Sequence, residues 1–189
     1  MSADPLQLSE KTIVLIGLMG AGKTTVGRKL AKLINIDFVD VDEEISKAAG
    51  CSIEDIFDKY GEGAFRDVEE RVMARLLIEK TRVLATGGGA IMNPRTRNLI
   101  KKCSISVWLR ADLKALVQRT RKRGSRPLLK NKDHGAILKK LMNERSPIYA
   151  EADITVDSCE DGPEVTARNI KNALLKLPFK QVISSNNEK

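Results

Sequence analysis

Thr12-Ile13-Val14-Leu15-Ile16-Gly17-Leu18-Met19-Gly20-Ala21-Gly22-Lys23-Thr24-Thr25 is the stretch whose reading decides the fold. Ile13 to Ile16 are four consecutive branched apolar residues, the pattern of a parallel strand buried on both faces. G-x-x-x-x-G-K-T follows from Gly17 to Thr24, and Val26, Leu30 and Ile34 then recur at helical spacing. Strand, loop and helix are the context a phosphate-binding loop requires. Gly17, Gly20 and Gly22 can take backbone angles closed to other residues, so successive N–H groups turn inward at a helix N-terminus, where the dipole also favours an anion. Lys23 supplies a point charge for β- and γ-phosphates, and the Thr24 hydroxyl supplies an oxygen to Mg²⁺. The run Gly20-Ala21-Gly22-Lys23-Thr24-Thr25 is therefore assigned to a nucleoside triphosphate. The competing reading is an ordinary glycine-rich turn. At average composition the four fixed positions arise by chance in a chain this long with a probability of roughly one in two hundred, which favours the nucleotide.

Composition bounds the rest. A chain of 189 residues with 42% hydrophobic content can bury one proper core, and a single domain is expected. The start, Met1-Ser2-Ala3-Asp4-Pro5, lacks the pattern of a secretory leader, and no apolar run approaches the roughly 18 residues that span a bilayer. A soluble, cytoplasmic protein is expected, with no membrane partner. Cys51, Cys103 and Cys159 are odd in number, widely spaced and without a C-x-x-C pair. Neither a disulfide framework nor a thiolate metal site is indicated, and they read as buried small hydrophobes. A lone histidine, His134, excludes schemes built on a histidine pair or a histidine-rich zinc site, and it reads as a surface loop residue. Catalysis falls to carboxylates, arginine, lysine and a metal.

The formal charge of +8 is unevenly spread: Arg95 to Arg145 hold 16 Lys/Arg against 3 Asp/Glu, a surplus of 13 that leaves the remainder at −5. That concentration suggests an anionic ligand near this half. Nucleic acid is the rival explanation, but aromatics are only 4% and do not interleave with the basic residues.

Further along, Asp37-Phe38-Val39-Asp40-Val41-Asp42 reads as a second strand with acids where it ends, on the sheet edge where open α/β folds collect ligands. Asp40 and Asp42, two apart on an extended segment, would point to one side as candidates for the metal's water shell and a substrate hydroxyl. The alternative is a helix N-cap plus first-turn acid ahead of Glu43-Glu44-Ile45, and both roles can hold together. Ser46 to Lys80 is read as a helical insert. Ser52-Ile53-Glu54-Asp55 forms a capping box, Gly61-Glu62-Gly63 ends the helix, and a second helix carries Phe65, Val68, Val72, Leu76 and Leu77 inward.

Arg82 to Thr86 is a third strand closed by Gly87-Gly88-Gly89, bare backbone against which a ligand can lie. Asn93 caps a helix with Pro94 at its first position. Ser104 to Leu109 is the fourth strand, with Trp108 in the core. A helix from about Asp112 to Arg121 leads into Arg121-Lys122-Arg123-Gly124-Ser125-Arg126-Pro127-Leu128-Leu129-Lys130-Asn131-Lys132-Asp133, whose composition fits a lid closing over a transferring phosphoryl group or a solvated charge run. His134 to Ala152 is mostly helix, with Arg145 near its end before Pro147. Asp153 to Asp157 is a fifth strand, and Pro163 opens the last helix. The tally is a three-layer α/β/α sandwich with a five-stranded parallel sheet. Its core covers about 11–42, 80–118 and 136–177, with a substrate-binding insert at about 43–79, a lid at about 119–135 and a disordered tail at 180–189.

With these residues assembled, the chain resembles the shikimate kinases over about residues 11 to 177. The motifs are the loop Gly17 to Thr24, Phe38-Val39-Asp40-Val41-Asp42, Phe65-Arg66-Asp67-Val68-Glu69, Gly87-Gly88-Gly89, Arg126-Pro127-Leu128-Leu129 and Glu144-Arg145-x-Pro147-Ile148-Tyr149. The resemblance implies a nucleoside-monophosphate-kinase-like sheet of order 2-3-1-4-5. It also implies transfer of the ATP γ-phosphate to the 3-hydroxyl of shikimate in aromatic amino acid (chorismate) biosynthesis; a monomer is expected. On this resemblance Asp42, Arg66, Gly88 and Arg145 bind shikimate, with Gly87 and Gly89 beside them, and Glu69 orients Arg66. Thr24, with Asp40 through water, holds Mg²⁺. Arg126 is the lid arginine contacting ATP, and Lys23, Asp42 and Arg126 carry the catalysis. Arg119 and Pro163 match positions flanking the adenine. No acid ends the third strand, where Leu84-Ala85-Thr86 precedes the glycines, so Asp40 stands as the compensating carboxylate.

The residues agree with that chemistry. Shikimate is a monocarboxylate with three hydroxyls, which calls for planar bidentate cations and an acceptor for hydroxyl protons; Arg66 and Arg145 suit the first and Asp42 the second. Two alternatives remain open on the sequence: a related kinase of another hydroxylated acid such as gluconate, and a nucleotide-binding regulatory or nucleic-acid-binding module.

Overall fold

The computed structural model describes residues 11–123, 133–158 and 162–177. Five parallel strands make one sheet: β1 (Thr12–Ile16), β2 (Asp37–Asp40), β3 (Arg82–Ala85), β4 (Ser104–Arg110) and β5 (Ile154–Asp157), in the order β2-β3-β1-β4-β5. The expected order and class hold. Every residue of β1 is buried, which is what a central strand covered on both faces demands of its sequence. Its register sets Ile13 beside Val83 on one side and Ile105 on the other. β5, at the edge, alternates instead, with Ile154 and Val156 inward and Thr155 and Asp157 outward.

Among the described residues seven α-helices complete the α/β/α sandwich: α1 (Lys23–Ile34), α2 (Val41–Ala49), α3 (Ile53–Glu79), α4 (Pro94–Cys103), α5 (Leu113–Arg123), α6 (His134–Tyr149) and α7 (Pro163–Leu174). The local signals explain their bounds. α1 stops at Asn35, which takes the left-handed angle φ 57°. Asn93 Oδ1 accepts from the N–H groups of Arg95 and Thr96 to open α4, with Pro94 at the first position. Ser52 and Asp55 form the predicted capping box of α3. α1 and α7 pack side by side, tied by a 2.7 Å ion pair between Lys29 and Glu164.

Gly17 is where the chain leaves β1 for the phosphate loop. Its φ is 134°, and a β-carbon there would sit 2.6 Å from the Leu109 carbonyl oxygen of β4. Only glycine allows the loop to turn this close to the neighbouring strand.

Several expectations change. β2 ends at Asp40, and Val41 already belongs to α2, so Asp42 lies in a helical first turn rather than on an extended segment with Asp40. Asp40 Oδ1 accepts from the Asp42 N–H, the cap reading of the same residues. The break expected at Gly61-Glu62-Gly63 is a kink at Gly61 (φ 80°, ψ 175°) within α3 rather than a gap between two helices. α6 passes through Pro147 as expected but ends at Tyr149, short of Ala152. His134 is the first residue of α6, half-buried with Nδ1 3.4 Å from Thr120 Oγ1, not a loop residue. Cys51 and Cys103 are half-buried at the edge of the core, not enclosed in it. Trp108 is also half-buried against the core, its ring 5.9 Å from that of Tyr149. The predicted lid begins within α5 and ends in the first residues of α6; Arg126, Leu128 and Leu129 lie outside the described residues, as do Cys159 and the tail 180–189.

Candidate active site

The carboxyl edge of the sheet gathers the site, because parallel strands deliver every following loop to the same side. From β1 comes the phosphate loop, with Gly17, Gly20 and Gly22 all at positive φ as the motif requires. Lys23 opens α1 and is buried, its Nζ donating to the Gly17 carbonyl at 2.7 Å and the Leu18 carbonyl at 3.0 Å. An ammonium held by two loop carbonyls stands over the backbone cup where a phosphate would be received.

Beside it, Thr24 Oγ1 donates to Asp40 Oδ2 at 2.7 Å, joining the first turn of α1 to the end of β2. A hydroxyl and a carboxylate are hard oxygen donors, the kind Mg²⁺ accepts together with phosphate oxygens and water rather than in an all-protein cage. Among the described residues no group of three or more His, Cys, Asp or Glu is placed to hold a metal alone. The pair therefore fits a metal bound through the nucleotide.

From the insert and α6 come the cations. Arg66 Nη1 donates to Glu69 Oε2 at 2.6 Å, and its Nη2 to Glu62 Oε1 at 2.9 Å. Glu69 is buried, and its second oxygen, Oε1, finds no hydrogen-bond partner among the described residues. Burial pushes the Glu69 carboxyl above its usual range; Arg66 pulls it back incompletely, and nearby Asp42 adds to the rise. Burial disfavours the Arg66 charge, but the two glutamates outweigh that and hold its guanidinium above the ordinary value. Arg66 and Arg145 line one cavity of about 570 Å³, together with Gly89.

The glycine loop after β3 connects this cavity to the phosphate cup. A β-carbon on Gly88 would lie 3.4 Å from both the Gly17 carbonyl oxygen and the Met19 nitrogen, and 3.6 Å from Arg145 Nη1. The Gly88 carbonyl in turn accepts from the Tyr149 hydroxyl at 2.5 Å. Burial pushes that hydroxyl's pKa up to about 12, so it stays a donor at any working pH. Arg119, on α5, donates to Ser158 Oγ at 2.9 Å and to the Gly20 carbonyl at 3.4 Å. Pro163 is the first residue of α7.

A sequence model of the family described as Shikimate kinase matches residues 19–175. The chain belongs to the shikimate kinase family. It is 53% identical over 165 residues to a shikimate kinase of Paramagnetospirillum magneticum, spanning 87% of this chain and 85% of that protein. A solved shikimate kinase from Acinetobacter baumannii, in complex with shikimate, matches with a TM-score of 0.85 and 40% identity over 89% of this chain and 96% of that one. A gluconokinase from Sinorhizobium meliloti, at 17% identity and a TM-score of 0.60 over 94% of this chain and 98% of that one, shares the fold alone.

The stretch matched by the shikimate kinase family model contains Thr24, Asp40, Asp42, Arg66, Glu69, the three glycines and Arg145. Two side chains at the site have no role assigned from the sequence. Tyr149 closes the motif that carries Arg145 and sits four residues beyond it, on the same helical face, which was the available signal. Ser158 carried none: its contact with Arg119 spans 39 residues.

Proposed function

We propose that this chain phosphorylates the 3-hydroxyl of shikimate with ATP, using the cup of Gly17 to Thr25 for the nucleotide and the arginine cavity for the acid. The observation that carries the assignment is Gly88, where a β-carbon would lie 3.4 Å from both the Gly17 carbonyl oxygen and the Met19 nitrogen of the phosphate loop and 3.6 Å from Arg145 Nη1. One loop thus sets the acid-binding cations next to the phosphate cup.

In this reading Arg66 and Arg145 grip the substrate carboxylate, each guanidinium offering a planar fork that matches it. Asp42, at the start of α2, accepts the hydrogen bond of the reacting hydroxyl, and the backbone of Gly88 lies along the ring. The hydroxyl oxygen attacks the γ-phosphorus, the bond to the β,γ-bridging oxygen breaks, ADP departs, and the hydroxyl proton leaves along its hydrogen bond to Asp42. Lys23 neutralises the charge shifting onto those oxygens, and Arg126 joins it from the lid; such a cation is worth about 10³ to 10⁵ in rate in the best cases. Thr24 and, through water, Asp40 would hold Mg²⁺, which would supply positive charge to the phosphate oxygens. Arg119 and Pro163 flank the adenine. The fold serves as one domain whose insert, about 43–79, carries the substrate wall.

We read the protein as a cytoplasmic monomer that engages neither membrane nor nucleic acid. No described helix is long and apolar enough to cross a membrane. Several residues of the basic second half pair with acids at the surface, among them Arg95 with Glu70, Lys101 with Glu151 and Arg110 with Asp157. The test is ADP formation by purified protein with ATP and Mg²⁺, with shikimate or gluconate as acceptor. Shikimate-dependent turnover is expected, and turnover no greater than with ATP alone would overturn the proposal.

A further inference from the structure

Glycine is usually placed in a loop for its backbone freedom, yet neither Gly87 nor Gly89 has a positive φ, and Gly89 sits at φ −102°, ψ −12°. An alanine would accept the Gly89 backbone, and Gly87 has no positive φ to strain one. What it would not find is room. A β-carbon on Gly89 would lie 2.6 Å from Arg66 Nη1, 2.6 Å from Nη2 and 2.8 Å from Cζ, so the guanidinium rests directly on the missing side chain. One on Gly87 would lie 2.8 Å from Glu69 Oε1 and 3.1 Å from Asp42 Oδ1. Gly88, between them, has nothing nearer than 3.4 Å.

We propose that Gly87 and Gly89 are positioning residues: their absent β-carbons form the bed in which the Arg66 guanidinium, the Glu69 carboxyl and Asp42 are set for the substrate. This rests on the roles of Arg66 and Asp42 proposed above and deepens them. The three crowded groups, on Arg66, Glu69 and Asp42, are side-chain ends, unlike the Leu109 carbonyl that crowds Gly17. The fold can absorb a methyl group at Gly89 by swinging the partly exposed Arg66 guanidinium aside. The site cannot, because a displacement near 1 Å in a binding group is enough to cost up to about a hundredfold.

The two glycines then have separable signatures. Gly89→Ala should raise KM for shikimate about ten- to a hundredfold through Arg66, leaving KM for ATP and the melting temperature nearly unchanged. Gly87→Ala, which crowds Asp42, should also lower kcat at saturating shikimate. The deciding experiment is a double-mutant cycle on kcat/KM for shikimate, with Gly89→Ala made in the parent and in Arg66→Ala and Arg66→Lys chains. The proposal expects the loss caused by Gly89→Ala to shrink to within about twofold once the guanidinium is gone. An equal loss in all three backgrounds, or a parent-like Gly89→Ala enzyme, would overturn it. If Arg66→Ala alone left shikimate kinetics intact, the assignment of Arg66 itself would fall, a different and distinguishable failure.

Discussion

Thr24 Oγ1 and Asp40 Oδ2 are 2.7 Å apart, a hydrogen bond between the first turn of α1 and the residue that ends β2. Asp40 thereby has two jobs, since its other oxygen caps α2 by accepting from Asp42 N–H at 3.1 Å. Asparagine retains the cap and loses the charge. Asp40→Asn should therefore keep its melting temperature within a few degrees while needing severalfold more Mg²⁺ for half-maximal rate. Asp40→Ala should show the same metal effect plus a loss of about 1 kcal/mol from the missing cap. A magnesium titration beside thermal melts separates the two roles.

Glu69 carries a pH signature. Its carboxyl is pushed up, first by burial, so the folded chain holds that proton more tightly than the unfolded one does. Such a group contributes stability below its unfolded pKa and loses it as pH rises through the raised folded value. The melting temperature of the parent minus that of Glu69→Gln should therefore fall as pH is raised from about 4.5 towards neutrality. Melts of both proteins across that window check the sign. Because Glu69 also fixes Arg66, Glu69→Gln should raise KM for shikimate about tenfold.

Lys23→Ala should lower turnover by at least about a hundredfold, the scale expected for removing a preorganised charge from developing oxyanions. Its ammonium reaches the Gly17 and Leu18 carbonyls at the strand-to-helix turn, beyond the end of the paired strands, so the circular dichroism spectrum should be unchanged. Rate and spectrum measured on the same sample decide this.

Tyr149→Phe removes the hydroxyl that the Gly88 carbonyl accepts from and leaves that carbonyl without its donor. The expected cost is about 1–2 kcal/mol, or a fall of roughly 3–6 °C in melting temperature for a chain this size. Because the same bond holds the glycine loop to the helix bearing Arg145, KM for shikimate should rise while KM for ATP holds.

Much of this was legible in the sequence. The unbroken apolar run Ile13 to Ile16 announced a central strand, and Gly17 to Thr24 identified the loop and helix start after it. Asn93-Pro94 and Ser52 to Asp55 marked helix starts correctly because capping is decided within four residues. The Arg66–Glu69 pair was readable as i, i+3 neighbours on a helix. Where local signals conflicted, the sequence was weaker. Phe38 to Asp42 suits a strand and a helix start alike, and the sheet settles it by pairing Asp40 with Ala85 and going no further. The Tyr149–Gly88 bond, 61 residues apart, and the bed beneath Arg66 depend on tertiary packing that no short window encodes.

The central claim is that arginines from separate elements hold the acid beside, but independently of, the phosphate cup. Calorimetric titration of Arg145→Ala with shikimate and, separately, with ATP tests it most directly. The account predicts shikimate binding weaker by at least about thirtyfold, roughly 2 kcal/mol for removing one partner of a charged pair, and ATP binding within about twofold of the parent. Parent-like shikimate affinity, or an equal loss for both ligands, would contradict it.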